Sequence, residues 1–205
     1  MQPVSTRPRT ARGRATRERI IQAAVELVAE KGVAGTSLDD VRKRAQASKS
    51  QLYLYFADRS ALLRAVAEAT CDAVIDIQAE GLADFDSLPG IERYLDATAA
   101  LQEERQARGG CPIGSLAGQL AEQDDEARLV LADGLRRWED ALRAGLQAMA
   151  DRGELRPDAD AALLATQTMA MLEGGLLLTQ LRRDPRQMRT AAAGALTLLR
   201  GAMNS

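Results

Sequence analysis

The sequence predicts an all-α protein of about nine helices, with an N-terminal three-helix helix-turn-helix domain followed by a longer helical domain. Hydrophobic residues make up 46% of the 205-residue chain but aromatic residues only 3%, and this mix favours helices over sheets. Apolar residues recur at helical spacing between Gly, Pro and capping residues that start or end helices. The predicted divisions are a disordered basic arm over residues 1–15, the helix-turn-helix over 16–60 and the second domain over 61–205.

Charge is distributed unevenly between the two predicted domains. Residues 1–59 hold 12 Lys or Arg and 6 Asp or Glu, whereas residues 60–205 hold 15 and 23. A basic N-terminal module suggests a polyanionic partner for that module alone, although two ordinary charged surfaces would give the same counts.

The composition argues against several classes of protein. The chain has no His, the commonest general base and metal ligand, so no metal, cofactor or Ser-His catalysis is expected. Two cysteines, Cys71 and Cys111, are too few for a disulfide framework and fit a reducing cytoplasm. Neither a secretory signal nor a run of about 20 apolar residues is evident, so no membrane association is expected.

The first helix is predicted to follow the basic arm. Residues 1–15 carry four Arg without apolar periodicity, which predicts a disordered arm that could contact DNA phosphates or remain a solvated tail. Helix one is predicted from about Thr16 to Lys31, where Gly32 supplies the stop. Its buried stripe would consist of Ile20, Ile21, Ala24, Leu27 and Val28.

Helices two and three are predicted from their caps and from the spacing of apolar residues. Thr36 or Ser37 caps helix two, and Ser48 caps helix three after a tight turn. In helix three, Leu52, Tyr55 and Phe56 lie at i, i+3 and i+4 and should face the core. The outward face and N-terminal end would then carry Ser48, Lys49, Ser50, Gln51, Tyr53 and Leu54.

This segment resembles the DNA-binding domain of the TetR family of transcriptional regulators over about residues 16–65. The matching motifs are Thr36-Ser37-Leu38, Ser48-Lys49, Leu52-Tyr53-Leu54-Tyr55-Phe56 and Asp58-Arg59. The resemblance implies a dimer whose two recognition helices reach successive major grooves of double-stranded DNA, about 34 Å apart, and bind a palindromic operator. The residues expected at the DNA are Thr36, Ser37, Ser48, Lys49, Ser50, Gln51, Tyr53, Leu54 and Arg59.

Different contacts are expected from different residues of this set. Lys49 and the arm would supply salt-sensitive binding to phosphates. Ser50 and Gln51 could read base edges, and Tyr53 could meet a thymine methyl group or a phosphate.

Three residues depart from the family pattern. Gln46 stands where the family has Gly, at a cost of about 1 kcal/mol in a left-handed turn. Arg42 occupies the place of a small Ala, and Leu54 replaces a usual His or Tyr. These departures leave open an alternative, a TetR-like sensor that lacks specific DNA binding and acts through a protein partner.

The second domain is predicted as helix after helix, with Gly, Pro and Asp residues at the boundaries. Asp58 caps helix four and Asp184-Pro185 starts the last helix. The buried stripe of helix four would consist of Leu62, Leu63, Val66, Ala73, Val74 and Ile77. The other expected boundaries are Pro89-Gly90, Gly109-Gly110-Cys111-Pro112, about Ala121, Gly153, about Asp158, Arg183 and Met203.

The last two helices are predicted to form a dimer interface. Both are rich in Ala, Gly, Leu and Met, and their apolar stripes exceed what one small domain can cover. Completion of the monomer core is the alternative, but the family resemblance also implies a homodimer through a four-helix bundle. The residues assigned to it are Gly174, Leu177, Leu178, Ala192, Ala195 and Leu199.

The family resemblance further implies a small hydrophobic effector that binds in the second domain and spreads the two DNA-binding heads of the dimer, most simply releasing a repressor. A helical enzyme would require a catalytic constellation, and no such constellation of Ser, Cys or Asp is recognisable. The effector-binding candidates, which could equally be core residues, are Cys111, Trp138, Met149, Met169, Met171 and Glu173.

Cys111 carries a separate hypothesis. It precedes Pro112 at the expected start of a helix, where the helix dipole would lower the pKa of the thiol. The segment GCPIGSLA also resembles one found in a branch of TetR-like ligand domains. Cys111 could therefore sense electrophiles or oxidants, or it could be a small buried hydrophobic residue.

Overall fold

The structure is a computed structural model that describes residues 10–204. Within these residues the chain forms nine α-helices, and the only bridge of β type joins Leu155 to Met203. The all-α prediction is confirmed. The helices are α1 (Ala11–Lys31), α2 (Leu38–Arg44), α3 (Lys49–Tyr55), α4 (Arg59–Leu82), α5 (Leu88–Glu104), α6 (Pro112–Leu120), α7 (Asp125–Asp151), α8 (Ala161–Arg182) and α9 (Arg186–Gly201).

Helix α1 begins earlier than the sequence suggested. The predicted disordered arm covered residues 1–15; residues 1–9 lie outside the described residues, but Ala11 to Ala15 are helical. The side chain of Thr10 accepts a hydrogen bond from the backbone N–H of Gly13 at 3.1 Å and caps the helix there. The predicted stripe of Ile20, Ile21, Ala24, Leu27 and Val28 is buried as expected.

The described chain divides into two compact units that differ from the predicted domains. The first unit takes the chain up to residue 72 together with 116–132, and the second takes 73–115 with 133–205. The helix-turn-helix unit thus extends beyond residues 16–60 and includes the end of α6 and the start of α7. Three helices, α4, α6 and α7, contribute residues to both units.

Capping boxes fix the starts of α2 and α3. The Ser37 hydroxyl accepts from the backbone N–H of Asp40, and the Asp40 carboxylate accepts from that of Ser37. Ser48 and Gln51 do the same at α3. Asp58 accepts from the backbone N–H of Ala61 at the start of α4, 2.7 Å away. These caps confirm the predicted starts of the helices.

The turn between α2 and α3 contains a residue in the left-handed region. Gln46 has a φ of 49°, and the backbone N–H of Ala47 closes the turn on the carbonyl of Arg42 at 3.0 Å. Because the Cβ of Gln makes this conformation costly, Gln46→Gly should raise the free energy of unfolding by about 1 kcal/mol. Urea denaturation followed by circular dichroism measures the change.

The neighbouring substitution Ala45→Gly is the matched control for this prediction. Ala45 has an ordinary φ of −75°, so Gly there should lower stability through backbone entropy and lost packing. A fall in stability for Gln46→Gly would show that the turn is not strained.

The core of the second unit brings α5, α8 and α9 together. A Cβ at Gly175 of α8 would lie 2.6 Å from the Cβ of Ala191, so this Gly permits the close approach of α9. Ion pairs join α9 to α5, Arg189 to Glu103 at 2.5 Å and Arg200 to Glu92 at 2.6 Å.

One prediction about an apolar stripe requires correction. Ile77, placed on the buried stripe of helix four, is 61% exposed, and Ala73 is exposed as well.

Helix α8 is long and apolar enough to cross a membrane by length and composition alone, and 44% of its apolar segment is buried within the fold. A single helix of this kind does not establish a membrane span.

Candidate nucleic-acid interface and ligand cavity

Helix α3 presents one face to the core and one to the exterior. Leu52 and Phe56 are buried, and Tyr55 is half-buried. The opposite face exposes 48% of Tyr53 and 60% of Leu54, next to the exposed residues Lys49 and Ser50. The structure therefore places hydrogen-bonding groups, one cation and one aromatic ring on the outward side of a short, capped helix.

Contacts with α1 hold α2, the turn and the end of α3 in position. The guanidinium of Arg17 lies 5.5 Å from the centre of the Phe56 ring, a cation–π contact. Arg19 donates from Nε to the carbonyl of Ala45, 2.8 Å away, at the start of the turn. Arg44 of α2 pairs with Glu26 and Glu30 of α1, and this pairing lowers the pKa of Glu30. Arg17, Arg19 and Arg44 therefore stabilise the packing of the helix-turn-helix through contacts inside the unit.

Two residues predicted at the DNA form hydrogen bonds within the protein. The side chain of Thr36 is buried and donates to the carbonyl of Gly32 at 2.9 Å, so its hydroxyl is withdrawn from the surface. The guanidinium of Arg59 donates to the carbonyls of Val33 and Thr36, and so ties the loop after α1 to the start of α4. Arg59 is nevertheless exposed, and its contact with DNA stays a prediction.

The remaining predicted DNA contacts lie at the ends and on the outer face of the motif. Ser37 and Ser48 are exposed but serve as caps, and Gln51 uses its side-chain oxygen to cap α3. Of the predicted set, Lys49, Ser50, Tyr53 and Leu54 form the outer surface of α3.

The second unit contains a cavity of about 320 Å³ between α4, α5, α7 and α8 and the start of α6. Its wall is mainly apolar and includes Trp138, Leu101, Leu176 and Cys111. The polar and charged residues that line it are Gln78, Glu80, Tyr94, Thr98, Gln102 and Arg105. A cavity with this balance of lining residues suits a small, mostly apolar ligand.

A hydrogen-bonded chain crosses the wall of the cavity. Trp138 donates from Nε1 to the hydroxyl oxygen of Tyr94 at 2.8 Å, and the Tyr94 hydroxyl donates to Oε1 of Gln78 at 3.1 Å. The Thr98 hydroxyl donates to the carbonyl of Tyr94 at 2.8 Å. Burial raises the pKa of Tyr94 well above its usual range, so this hydroxyl stays protonated and its donor is occupied.

The structure separates the predicted ligand-binding residues into two groups. Cys111 and Trp138 line the cavity, and Glu173 lies against Cys111. Met149 and Met169 are buried but are not among the lining residues, nor is the half-buried Met171. Tyr94, Thr98 and Gln102 were not predicted, although polar residues on an otherwise apolar stripe were a signal in the sequence.

Cys111 sits at the start of α6 as predicted, but the inferred effect on its pKa is wrong. Burial and the adjacent Glu173 carboxylate raise the pKa of the thiol to about 12. The thiol is 6% exposed and accepts a hydrogen bond from the backbone N–H of Gly114 at 3.4 Å. That hydrogen bond lowers the pKa, but burial and the nearby carboxylate outweigh it.

Slow alkylation of Cys111 by iodoacetamide at neutral pH is therefore expected. Since only the thiolate reacts and the pKa is near 12, the rate should rise about tenfold for each pH unit between 7 and 10. Glu173→Gln removes the neighbouring charge and should speed the reaction at fixed pH. Mass spectrometry of the labelled peptide measures both rates. Rapid labelling at pH 7, as for a free thiol, would restore the hypothesis of an activated cysteine.

The outer side of α8 is unusually apolar. Leu163, Leu177 and Leu181 are 54%, 55% and 71% exposed, and Leu178 is 39% exposed. The half-buried Gly174 lies on the same side. Of the predicted interface, Ala192, Ala195 and Leu199 are buried inside the protomer, because this side of α9 packs within the second unit.

Two family models match the chain. The model described as "Bacterial regulatory proteins, tetR family" matches residues 20–66, which include α2 and α3. The model described as "Tetracyclin repressor-like, C-terminal domain" matches residues 87–195, slightly more than half of the chain.

Individual regulators of transcription are also similar to this chain in sequence or in structure. An uncharacterized HTH-type transcriptional regulator of Mycobacterium tuberculosis is 30% identical over 182 residues, which cover 82% of this chain and 86% of that protein. The HTH-type transcriptional repressor DhaR of Mycobacterium sp. strain GP1 is 23% identical over 168 residues, 82% and 84% of the two chains. The crystal structure of a TetR transcriptional regulator from Chloroflexus aurantiacus is 25% identical, with a TM-score of 0.79 over 95% of this chain and 98% of that one.

Proposed function

The chain belongs to the TetR family of transcriptional regulators, and we propose that it is a ligand-responsive repressor that binds a palindromic operator as a dimer. The single observation that carries the DNA-binding part is the outer surface of α3, where Lys49, Ser50, Tyr53 and Leu54 are exposed on a helix with a packed inner face. Such a helix fits the major groove of DNA.

Contacts to bases and contacts to phosphates come from different residues in this proposal. Lys49 binds phosphate, so its contribution weakens as salt concentration rises. Ser50 and the side-chain nitrogen of Gln51 read base edges, and Tyr53 meets a thymine methyl group or a phosphate. Ser37 and Ser48 lie at helix N-termini, where the backbone N–H groups and the helix dipole favour a phosphate.

The exposed apolar side of α8 supports the dimer. Four leucines with exposures between 39% and 71% lie on this helix, and a monomer gains nothing from presenting them to water. The proposed interface therefore contains Gly174, Leu177 and Leu178, extended by Leu163 and Leu181. Association about a two-fold axis also supplies the two recognition helices that a palindrome requires.

The cavity of the second unit is the proposed effector site. Its volume lies at the small end of the range for ligand pockets, and most of its wall is apolar. In this proposal the occupied cavity favours a dimer whose DNA-binding units no longer match the operator spacing, and repression ends. The relative DhaR is named a transcriptional repressor, and the proposal takes the same role for this chain.

A mobility-shift experiment tests the proposed function. The DNA upstream of the protein's own gene should bind at least 1000-fold more tightly than scrambled DNA of the same composition, as specific operators do. Both affinities should fall with added salt.

Equal affinity for both fragments would overturn the proposal and favour the alternative sensor that acts through a protein partner. Arg42, which replaces a small Ala of the family pattern, was one reason to consider that alternative. Its side chain pairs with Asp39 at 2.7 Å on the surface of α2 and leaves the helical core intact.

A further inference from the structure

The cavity wall contains buried hydrogen-bond acceptors without partners. Gln102 is 2% exposed and lines the cavity, and its Oε1 has no hydrogen-bond partner among residues 10–204. Oε1 of Glu173 is likewise buried without a partner in this part of the chain, although the carboxyl group accepts a hydrogen bond from the Cys111 thiol beside the cavity. A buried polar atom without a partner costs about 1 to 3 kcal/mol, so a ligand that satisfies it gains affinity.

The hydroxyl and indole donors of the wall are already committed. The Tyr94 hydroxyl donates to Gln78, the indole N–H of Trp138 donates to Tyr94, and the Thr98 hydroxyl donates to a backbone carbonyl. Arg105, the one basic lining residue, is exposed at the end of α5 rather than buried in the wall. Oε1 of Gln102 can therefore accept a hydrogen bond from a ligand, whereas an anion would meet this oxygen and the acidic lining residue Glu80.

The carboxyl group of Glu173 lies behind the wall, close to the lining residues Cys111 and Tyr94. Burial raises the pKa of Glu173 above its usual range, so an empty cavity disfavours the ionised form. A cation nearby would offset this cost and favour the carboxylate. The acceptor of Gln102 and the carboxyl group of Glu173 thus prefer the same chemistry in a ligand.

We propose that the effector is an apolar amine, whose N–H group donates to Oε1 of Gln102 and whose apolar body packs against Trp138. This inference rests on the proposed function in taking the cavity as the effector site. It adds that the ligand must carry a hydrogen-bond donor, and it predicts weaker binding for a carboxylic acid of similar shape.

Trp138 provides the measurement, because it is the only Trp in the chain and lines the cavity. Titration of the free protein with 4-phenylbutylamine should give a saturable change in Trp fluorescence. The isosteric 4-phenylbutanoate should bind at least tenfold more weakly, since it presents an anion to the acceptors of the wall. No binding of the amine, or tighter binding of the acid, overturns the proposal.

Two substitutions test the named groups. Gln102→Met keeps the length of the side chain but removes the acceptor, and should weaken the amine about tenfold, the equivalent of one hydrogen bond to a buried group. Glu173→Gln keeps the shape but removes the charge and should also weaken the amine. Gln147→Met, on the exposed side of α7, is the matched control and should bind as the native protein does.

Unchanged amine affinity in both Gln102→Met and Glu173→Gln, with circular dichroism showing folded proteins, contradicts the proposal. The titration contains no DNA, so its failure is separate from that of the proposed function. Specific operator binding together with preference for the acid would retain the regulator and reject the amine. Amine binding without operator specificity would retain the amine site and reject the operator-binding repressor.

Discussion

Tyr53→Ala is expected to abolish specific binding to the operator while the protein remains a folded dimer. Tyr53 is 48% exposed on the outer surface of α3, so its removal leaves the inner contacts of Leu52 and Phe56 intact. An aromatic anchor at the centre of an interface typically contributes about 2 to 3 kcal/mol, which corresponds to a loss of affinity on the order of 100-fold. Fluorescence anisotropy with labelled operator DNA measures this loss.

Tyr53→Phe is the matched variant, because it keeps the ring and removes only the hydroxyl. Retained affinity in Tyr53→Phe would indicate contact with a thymine methyl group, whereas a loss would indicate a hydrogen bond to phosphate. Circular dichroism and sedimentation confirm folding and dimerisation of both variants. Operator affinity unchanged by Tyr53→Ala would reject α3 as the recognition helix.

The division of α3 into two faces was predictable because it depends on local geometry alone. A helix repeats every 3.6 residues, so the positions of Leu52 and Phe56 determine that Tyr53 and Leu54 point away from the core. The capping boxes at Ser37 and Ser48 were predictable for the same reason, since both partners lie within three residues.

The roles of Thr36 and Arg59 were not predictable from spacing. Arg59 donates to carbonyls of Val33 and Thr36, more than 20 residues earlier in the chain. Their positions depend on the path of the loop after α1, and the sequence does not specify that path. The sequence therefore placed Arg59 at the DNA without revealing that its guanidinium also donates to backbone oxygens of the same unit.

Burial explains the other corrections. The position of Cys111 at a helix start was correct, but the pKa of its thiol depends on what surrounds it, and Glu173 comes from a helix 62 residues later in the sequence. The stripe of Ala192, Ala195 and Leu199 was recognised as apolar, but an apolar stripe does not show whether its partner belongs to the same chain or to a second copy.

Leu177→Glu combined with Leu181→Glu is expected to dissociate the dimer. The two side chains are 55% and 71% exposed on the apolar side of α8, one helical turn apart, so their replacement costs the folded protomer little. In a dimer, each Glu would have to be buried without a partner in an apolar interface, and this costs several kcal/mol per subunit. Analytical ultracentrifugation should show monomers at concentrations where the native protein is dimeric.

Loss of the dimer should also remove most of the operator affinity. Two recognition helices on one dimer bind two half-sites with a high effective concentration, and a monomer loses the second contact, about 100-fold to 10,000-fold in affinity. Leu129→Glu is the control, because Leu129 is a 58% exposed leucine in the other unit and its replacement adds one of the same acidic side chains outside α8. This control should remain dimeric and bind the operator. If the double variant also sediments as a dimer, the exposed side of α8 is not the interface, and the two half-sites must be brought together by another surface of the chain.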